Sequence, residues 1–383
     1  MTDILVLGGG YTGVAAAIRA AVTTRRSGGV VTLVDAAARF TERLRLHQTA
    51  AGQTLPDHAL QDVLAGSGVR FVQGRVAGLD VEGREARLGD GRVLRFDKLI
   101  YALGAVTDVS VPGVADHAYT YDDHASALRL ADRVGALPGG GTVVVAGGGL
   151  TGVESAAELA EAHPHLRVVL VTRGRPGSTL GERARAYLDG ALARLGVEVR
   201  AGVEVSKVLP DAVEPAGGEP IHSDATLWTA GTRGLPLAAA SGLTVDARDR
   251  IVVDAALRSV SHPDVYAVGD AAAVRRPFGV LHGTCQSGIP AGLHAAGSLA
   301  AALRGRKPGA FRFGYFHQPI SLGRRDAVIQ FTRPDDSPRR WFLTGRAAVA
   351  YKETVSSSPI PTFRLLKRGL VPVWAFALTA GLS

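Results

Sequence analysis

The sequence predicts an α/β fold with two parallel-sheet units and a third, C-terminal α+β unit. Three observations predict it. The opening run ILVLGGGYTGVA, from Ile4 to Ala15, returns as VVVAGGGLTGVE, from Val143 to Glu154. Each copy starts in a short apolar, mostly β-branched run, as a buried strand does, and passes through glycines into a helix-forming stretch. Further apolar runs end in glycine at Lys98–Gly104, Ala225–Gly231 and Val265–Gly269, as parallel strands feeding a crevice would.

The first unit begins with the strand Ile4–Leu7. Gly8, Gly10 and Gly13 follow in G-x-G-x-x-G spacing, and Val14–Val22 is the helix. The first glycine makes a tight turn, the second lets backbone approach a pyrophosphate, and the third lets helix pack on strand. The free N–H groups and dipole of the helix N-terminus then hold the phosphates. Val30–Val34 is the next strand. It ends in Asp35, placed to hydrogen-bond the ribose hydroxyls of an adenosine, slightly beyond the usual spacing because residues 25–29 add a loop. Arg39–Ala51 reads as a helix with Phe40, Leu44 and His47 on one face. Arg43, His47 and Gln48 read as its half-buried or solvated side, the alternative being that they line the substrate side of a bound cofactor. Residues 70–95 read as short strands, with Asp90-Gly91 as a hairpin turn.

Proline and glycine cluster at Val111–Val114 and Pro138–Gly141, ahead of the second copy. There the glycines are Gly147, Gly149 and Gly152, and the helix is Val153–Ala162. The strand Val168–Val171 runs into Thr172 and Arg173, where the first unit has its acid. Ala291–Leu303 is a small-residue helix. Beyond Phe311 aromatics rise, and Arg324-Arg325-Asp326 separates two strand-like runs. The tail Phe363–Leu382 is basic and then apolar. The second Rossmann-like unit is therefore read as inserted into the first. That gives one domain over 1–110 and 235–308, an inserted domain over 111–234, and a C-terminal unit over 309–383.

Composition narrows the classes. The chain has 383 residues, a net charge of +8 and one cysteine, Cys285. A start at Met1-Thr2-Asp3 leading straight into a strand predicts no signal peptide and a cytoplasmic protein. No apolar run reaches the roughly 18 residues of a membrane span. The basic balance suits anionic cofactors. No arginine-lysine block with interleaved aromatics points to nucleic acid. One cysteine excludes an intrachain disulfide and a C-x-x-C redox pair. Cys285 itself reads as a small core residue. His117, His124, His163 and His165 lack metal-ligand spacing, and no metal is expected.

Together the two glycine loops, YALGA at Tyr101–Ala105, TAGT at Thr229–Thr232 and VYAVGDAA at Val265–Ala272 resemble the two-dinucleotide-binding-domain flavoproteins, over about residues 3–305. The resemblance implies FAD on Gly8, Gly10, Gly13, Asp35, Gly104, Gly269 and Asp270. It implies NADPH or NADH on Gly147, Gly149, Gly152, Arg173 and Gly231. AGLHAA at Ala291–Ala296 and SLGRRDAVIQF at Ser321–Phe331 are further similar to type II NADH dehydrogenases and apoptosis-inducing-factor-like quinone reductases. That implies hydride transfer from NAD(P)H to the flavin, then two electrons to a quinone or quinone-like acceptor. Glu154 would stand near the flavin–nicotinamide contact, and Gln286 in the acceptor pocket. The family's A-Q-x-A-x-Q reads CQSGIP here, so Pro290 replaces the second glutamine and the quinone pocket is half matched. Without a cysteine pair, electrons would pass directly from flavin to acceptor.

Other acceptors remain open: a ferredoxin or rubredoxin, or a conjugated or quinonoid biosynthetic metabolite. A flavin-bound interaction protein without catalysis is a further alternative. Thr172-Arg173 in place of an acid predicts that NADPH is used at least as well as NADH, since a guanidinium binds a 2′-phosphate that a carboxylate repels. The tail, with Arg364, Lys367 and Arg368 before Trp374 and Phe376, carries two expectations. One is peripheral contact with the inner face of a membrane; the other is packing on the body or on a second subunit of a homodimer.

Overall fold

The computed structural model describes residues 1–370. Five parallel strands form the first sheet, in the order Val265–Ala267, Lys98–Tyr101, Thr2–Leu7, Gly29–Asp35, Val69–Gln73. The second sheet is also five-stranded and parallel, in the order Glu198–Ala201, Arg167–Thr172, Thr142–Ala146, Ala225–Trp228, Ala118–Tyr119. Strands buried on both faces need apolar residues at successive positions, which is why both opening runs are continuous rather than alternating. Leu5, Val6 and Leu7 are sealed from solvent, as are Val143, Val144 and Val145.

The chain leaves the first sheet through Ala105–Thr107 and comes back through Thr232–Gly234. These two segments pair antiparallel and so lie side by side. Gly234 is fixed by packing, because a Cβ there would overlap the Asp249 carbonyl. The helix Tyr11–Thr24 lies between sheet and the helix Cys285–Ala302. Their contact is close because it is made by alanine and glycine. A Cβ on Gly292 would stand 2.5 Å from the Thr12 carbonyl oxygen.

Two antiparallel three-stranded sheets decorate the units. In one, Glu85–Leu88 and Val93–Arg95 flank the Asp90-Gly91 turn, with Gly91 at φ +88° as that turn requires. The expected helix over Arg39–Ala51 is not continuous. Residues 38–40 are extended and bond across to 58–60 (Phe40 N–H to His58 O 2.8 Å, Leu60 N–H to Ala38 O 2.9 Å). A 3-10 turn at Arg43–Arg45 and the short helix Leu46–Ala50 follow.

The C-terminal unit is an antiparallel sheet of His317–Ser321, Ala327–Thr332 and Pro338–Thr344, covered by the helix Gly345–Ser357. The helix Pro359–Lys367 then returns to the first unit. Phe363 is 1% exposed, with its ring edge-on to Phe40, and Lys367 donates to the Ala65 carbonyl at 2.8 Å. The start of the tail thus packs on the body. Its apolar remainder, with Trp374 and Phe376, lies outside the described residues. No helix among the described residues is long and apolar enough to cross a membrane.

Candidate functional site

The two glycine loops repeat one geometry. Gly8 has φ +104° and Gly147 φ +127°, both in the left-handed region. A Cβ on Gly8 would overlap the Ala102 carbonyl; one on Gly147 would meet Thr229 Oγ1 at 2.5 Å. A Cβ on Gly13 would overlap the Gly8 carbonyl, and one on Gly152 the Gly147 carbonyl. Gly10 and Gly149 differ from these: a Cβ on either meets nothing within 4 Å. Each is the N-cap of its helix, in extended conformation and without a side-chain cap. First-turn N–H groups are therefore left for an anion, beside a backbone surface kept bare. Two loops of this form fit the pyrophosphates of two dinucleotides.

At the end of its strand Asp35 accepts from Gly9 N–H at 2.6 Å and Ala37 N–H at 2.7 Å. Burial raises its pKa, and those two bonds oppose the shift. Thr172 holds the equivalent place in the second unit, against Gly148. Arg173, next to it, is 80% exposed and has one distant partner, Glu204 at 3.8 Å.

Between the units lies a cavity of about 550 Å³. Its lining includes Gly269, Asp270, Thr232 and Arg43, together with Tyr11, Tyr121, His47 and Glu154. Among the described residues the buried Tyr11 and Tyr121 hydroxyls have no hydrogen-bond partner, which suits a ligand carrying polar atoms. Asp270 abuts Gly283, where a Cβ would overlap its carboxylate. Burial raises the Asp270 pKa, while Arg43, His282 and Arg250 favour its ionised form. Gly269, at φ +66°, leaves a Cβ only 2.9 Å from Thr12 Oγ1. Gly104 and Gly231 also have positive φ, +73° and +95°.

Glu154 projects from the second glycine-loop helix into a polar cluster. Lys352 Nζ is 2.6 Å from its Oε1, which also accepts from Ser321 N–H at 2.9 Å and Ser321 Oγ at 3.0 Å. Burial alone would raise its pKa, but Lys352, His47 and these bonds outweigh it, and the carboxylate stays ionised. His47 Nε2 is 3.3 Å from Ser321 Oγ. It is sealed rather than half-solvated: burial pulls its pKa down to about 4, helped by Lys352, Arg324 and Arg45 against Glu154. One turn on from Glu154, Glu158 is bonded by Gln53 and faces Arg324 at 3.7 Å, and burial raises its pKa to about 7.

Gln286 is spent on structure. Its Nε2 donates to the His317 carbonyl at 3.0 Å and its Oε1 accepts from Phe316 N–H at 2.8 Å, clamping helix to C-terminal strand. Cys285 is free, and burial raises its thiol pKa to about 11, so it carries no reactive thiolate at neutral pH. Reasoning from the sequence missed Lys352. Nothing local marks it, since its carboxylate partner sits in another unit.

Residues 2–300 match the family described as pyridine nucleotide-disulphide oxidoreductase. A NADH dehydrogenase-like protein of Mycobacterium tuberculosis is 32% identical over 351 residues, covering 86% of this chain and 87% of the relative. A demethylphylloquinone reductase of Synechocystis is 26% identical over 414 residues, covering 100% and 96%. Among solved structures, the sulfide:quinone oxidoreductase of Aquifex aeolicus superposes with a TM-score of 0.82 at 17% identity, covering 98% of this chain and 94% of that one. At that identity the likeness is one of fold.

Proposed function

The chain belongs to the pyridine nucleotide-disulphide oxidoreductase family, and from that premise we propose that it is an FAD-dependent NAD(P)H oxidoreductase delivering two electrons to a quinone-like acceptor. The observation that carries the proposal is the duplicated loop. Two bare-backbone helix N-termini, at Gly10 and Gly149, belong to two units that share one cavity. With one cysteine in the chain, no redox disulfide takes part.

FAD, when bound, supplies the centre that takes hydride from the nicotinamide and returns electrons to the acceptor. The chain's own residues bind, orient and exclude. Gly8, whose own N–H is bonded to the Val34 carbonyl, and Gly13 shape the loop, so that the free N–H groups at Gly10 and the first turn of its helix would meet the first pyrophosphate, and Asp35 would keep lone pairs for ribose hydroxyls. In the second loop Gly147, bonded to the Val171 carbonyl, and Gly152 have the same shaping role, and the N–H groups at Gly149 and the first turn of its helix would hold the nicotinamide nucleotide. Asp270 would accept from hydroxyls of the flavin's ribityl chain. Glu154, kept ionised by Lys352 and Ser321, would give the cavity a fixed polar wall on the side of the second glycine loop, where the nicotinamide would be oriented. The buried Tyr11–Phe40–Phe363 packing helps to keep water out.

Anaerobic stopped-flow reduction of the yellow holoprotein, followed by a screen of acceptors, tests the proposal. Rapid bleaching by NAD(P)H and fast reoxidation by quinones are expected. Very slow bleaching would instead favour a non-enzymatic flavoprotein, and reoxidation by an iron–sulfur protein alone would favour an electron-transfer reductase. Peripheral membrane contact and a homodimer belong to the same proposal.

A further inference from the structure

His282 precedes the helix Cys285–Ala302 and lines the cavity. Its side chain is 56% exposed, and its Nε2 stands 3.5 Å from Asp336 Oδ2. The ring stacks flat on Tyr315, with centroids 4.3 Å apart and planes 2° apart. Tyr315 also pins the backbone: its Oη accepts from His282 N–H at 3.0 Å and donates to the His282 carbonyl at 2.9 Å. Asp336 is held as firmly. Gln318 Nε2 donates to its Oδ2 at 2.8 Å, and Thr179 donates to Gln318 at 2.7 Å. Asp336 sits at φ +67° in the turn between the last two strands, a conformation that needs such support. So the imidazole is oriented by groups from the C-terminal unit, with one nitrogen facing a carboxylate. Its Nδ1 has no hydrogen-bond partner among the described residues.

Other ionisable groups named on the cavity wall are poorly placed to exchange protons near neutrality. Glu154 is tied to Lys352 and His47 is sealed. The phenols of Tyr11 and Tyr121 are pushed far up by burial, and the arginines keep their charge. Asp270 abuts the Gly283 backbone.

We propose that His282, oriented by the positioning residue Asp336, carries the solvent proton into the cavity. Two-electron reduction of a quinone-like acceptor is NAD(P)H + H⁺ + acceptor → NAD(P)⁺ + dihydro-acceptor. The hydride supplies both electrons and one hydrogen; the other hydrogen is a proton from water. The imidazolium gives up its N–H proton as an O–H bond forms on the acceptor, and the neutral ring then takes a proton back from solvent. The inference rests on the acceptor taking two electrons and a proton, since a one-electron iron–sulfur acceptor takes none.

The charges around His282 set the sign of the test. Burial lowers its pKa below the ordinary histidine value, and Asp336 and Asp270 partly restore it. Acceptor-dependent turnover of the holoenzyme should therefore fall as pH rises through one inflection below about 6.5. In His282→Gln the inflection should vanish, and turnover below it should drop at least tenfold. The acceptor step should slow at least tenfold more than the NAD(P)H step, and free imidazole should restore part of the loss to His282→Ala. In Asp336→Asn the inflection should move to lower pH. An NMR titration of His282 should show the same downward move without turnover. The proposal is overturned if wild type turns over while His282→Gln keeps both rate and inflection, or if both steps slow equally. If wild type reduces no acceptor, the functional reading has failed on its own, and a His282 titration unmoved by Asp336→Asn then overturns the dyad.

Discussion

A Cβ on Gly10 would meet no protein atom within 4 Å, whereas one on Gly13 would overlap the Gly8 carbonyl. The two glycines of one motif are thus held for different reasons, and substitution should separate them. Gly10→Val should leave the melting temperature of the cofactor-free protein within a few degrees of wild type yet abolish flavin content, read as the 450 nm band per chain. Gly13→Ala should cost stability even without cofactor, by about 1–3 kcal/mol for a forced overpacking. A Gly10→Val protein that keeps its flavin would sink the assignment of this loop. Thr172 and Arg173 carry a second expectation at this scale. Arg173 is 80% exposed and loosely paired, free to meet a 2′-phosphate. NADPH should reduce the protein at least as well as NADH, and Arg173→Ala should cut kcat/KM for NADPH by on the order of tenfold while sparing NADH. A strong NADH preference unchanged by the substitution would refute it.

At the scale of elements, the second glycine-loop helix shows what was legible and what was not. Its start, its glycines and its partner strand were readable because turn chemistry and apolar runs are local signals. Its polar contacts were not. Glu154 is completed by Ser321 and Lys352, and Glu158 by Gln53 and Arg324, all from distant segments. Likewise the extended pairing of residues 38–40 with 58–60 overrode a helical pattern that the sequence carried on its own. The cluster makes sharp predictions. Lys352→Met strands a buried carboxylate and should cost about 3–5 kcal/mol, most of it recovered in the double variant with Glu154→Gln. His47 controls the acid limb of stability. Its folded pKa, about 4, lies below the ordinary 6.5, so the unfolded chain takes up the proton first. Its contribution is full above about pH 6.5 and is lost as pH falls towards 4, by up to ~1.4 kcal/mol per pH unit, while Glu158, raised to about 7, adds stability over the same fall. Glu154, with its lowered pKa, adds loss only further down. Relative to wild type, His47→Gln should therefore gain melting temperature as pH falls from 6.5 to 4, leaving the opposite slope of Glu158; a slope unchanged from wild type would remove His47 from this account.

For the whole molecule, the question is where the C-terminal unit meets its surroundings. The segment from Pro359 to Lys367 belongs to the core, because Phe363 and Leu366 are buried against the first unit. A cut after Pro361 would therefore strip the body and confuse unfolding with loss of membrane contact. A cut after Leu370 removes only the thirteen residues 371–383, uncharged and apolar in sequence, with Trp374 and Phe376 among them. Thirteen residues are too few to span a bilayer but enough to enter its interface, with Arg364 and Arg368 just upstream to meet anionic headgroups. Full-length protein should float with vesicles containing phosphatidylglycerol, release as salt rises and bind neutral vesicles weakly. The protein ending at Leu370 should keep its flavin and its melting temperature but stay at the bottom of the gradient. If both forms stay there, and the shorter one loses a dimer by light scattering, the segment is an assembly element. The acceptor is then better sought among soluble quinonoid metabolites than among lipid quinones.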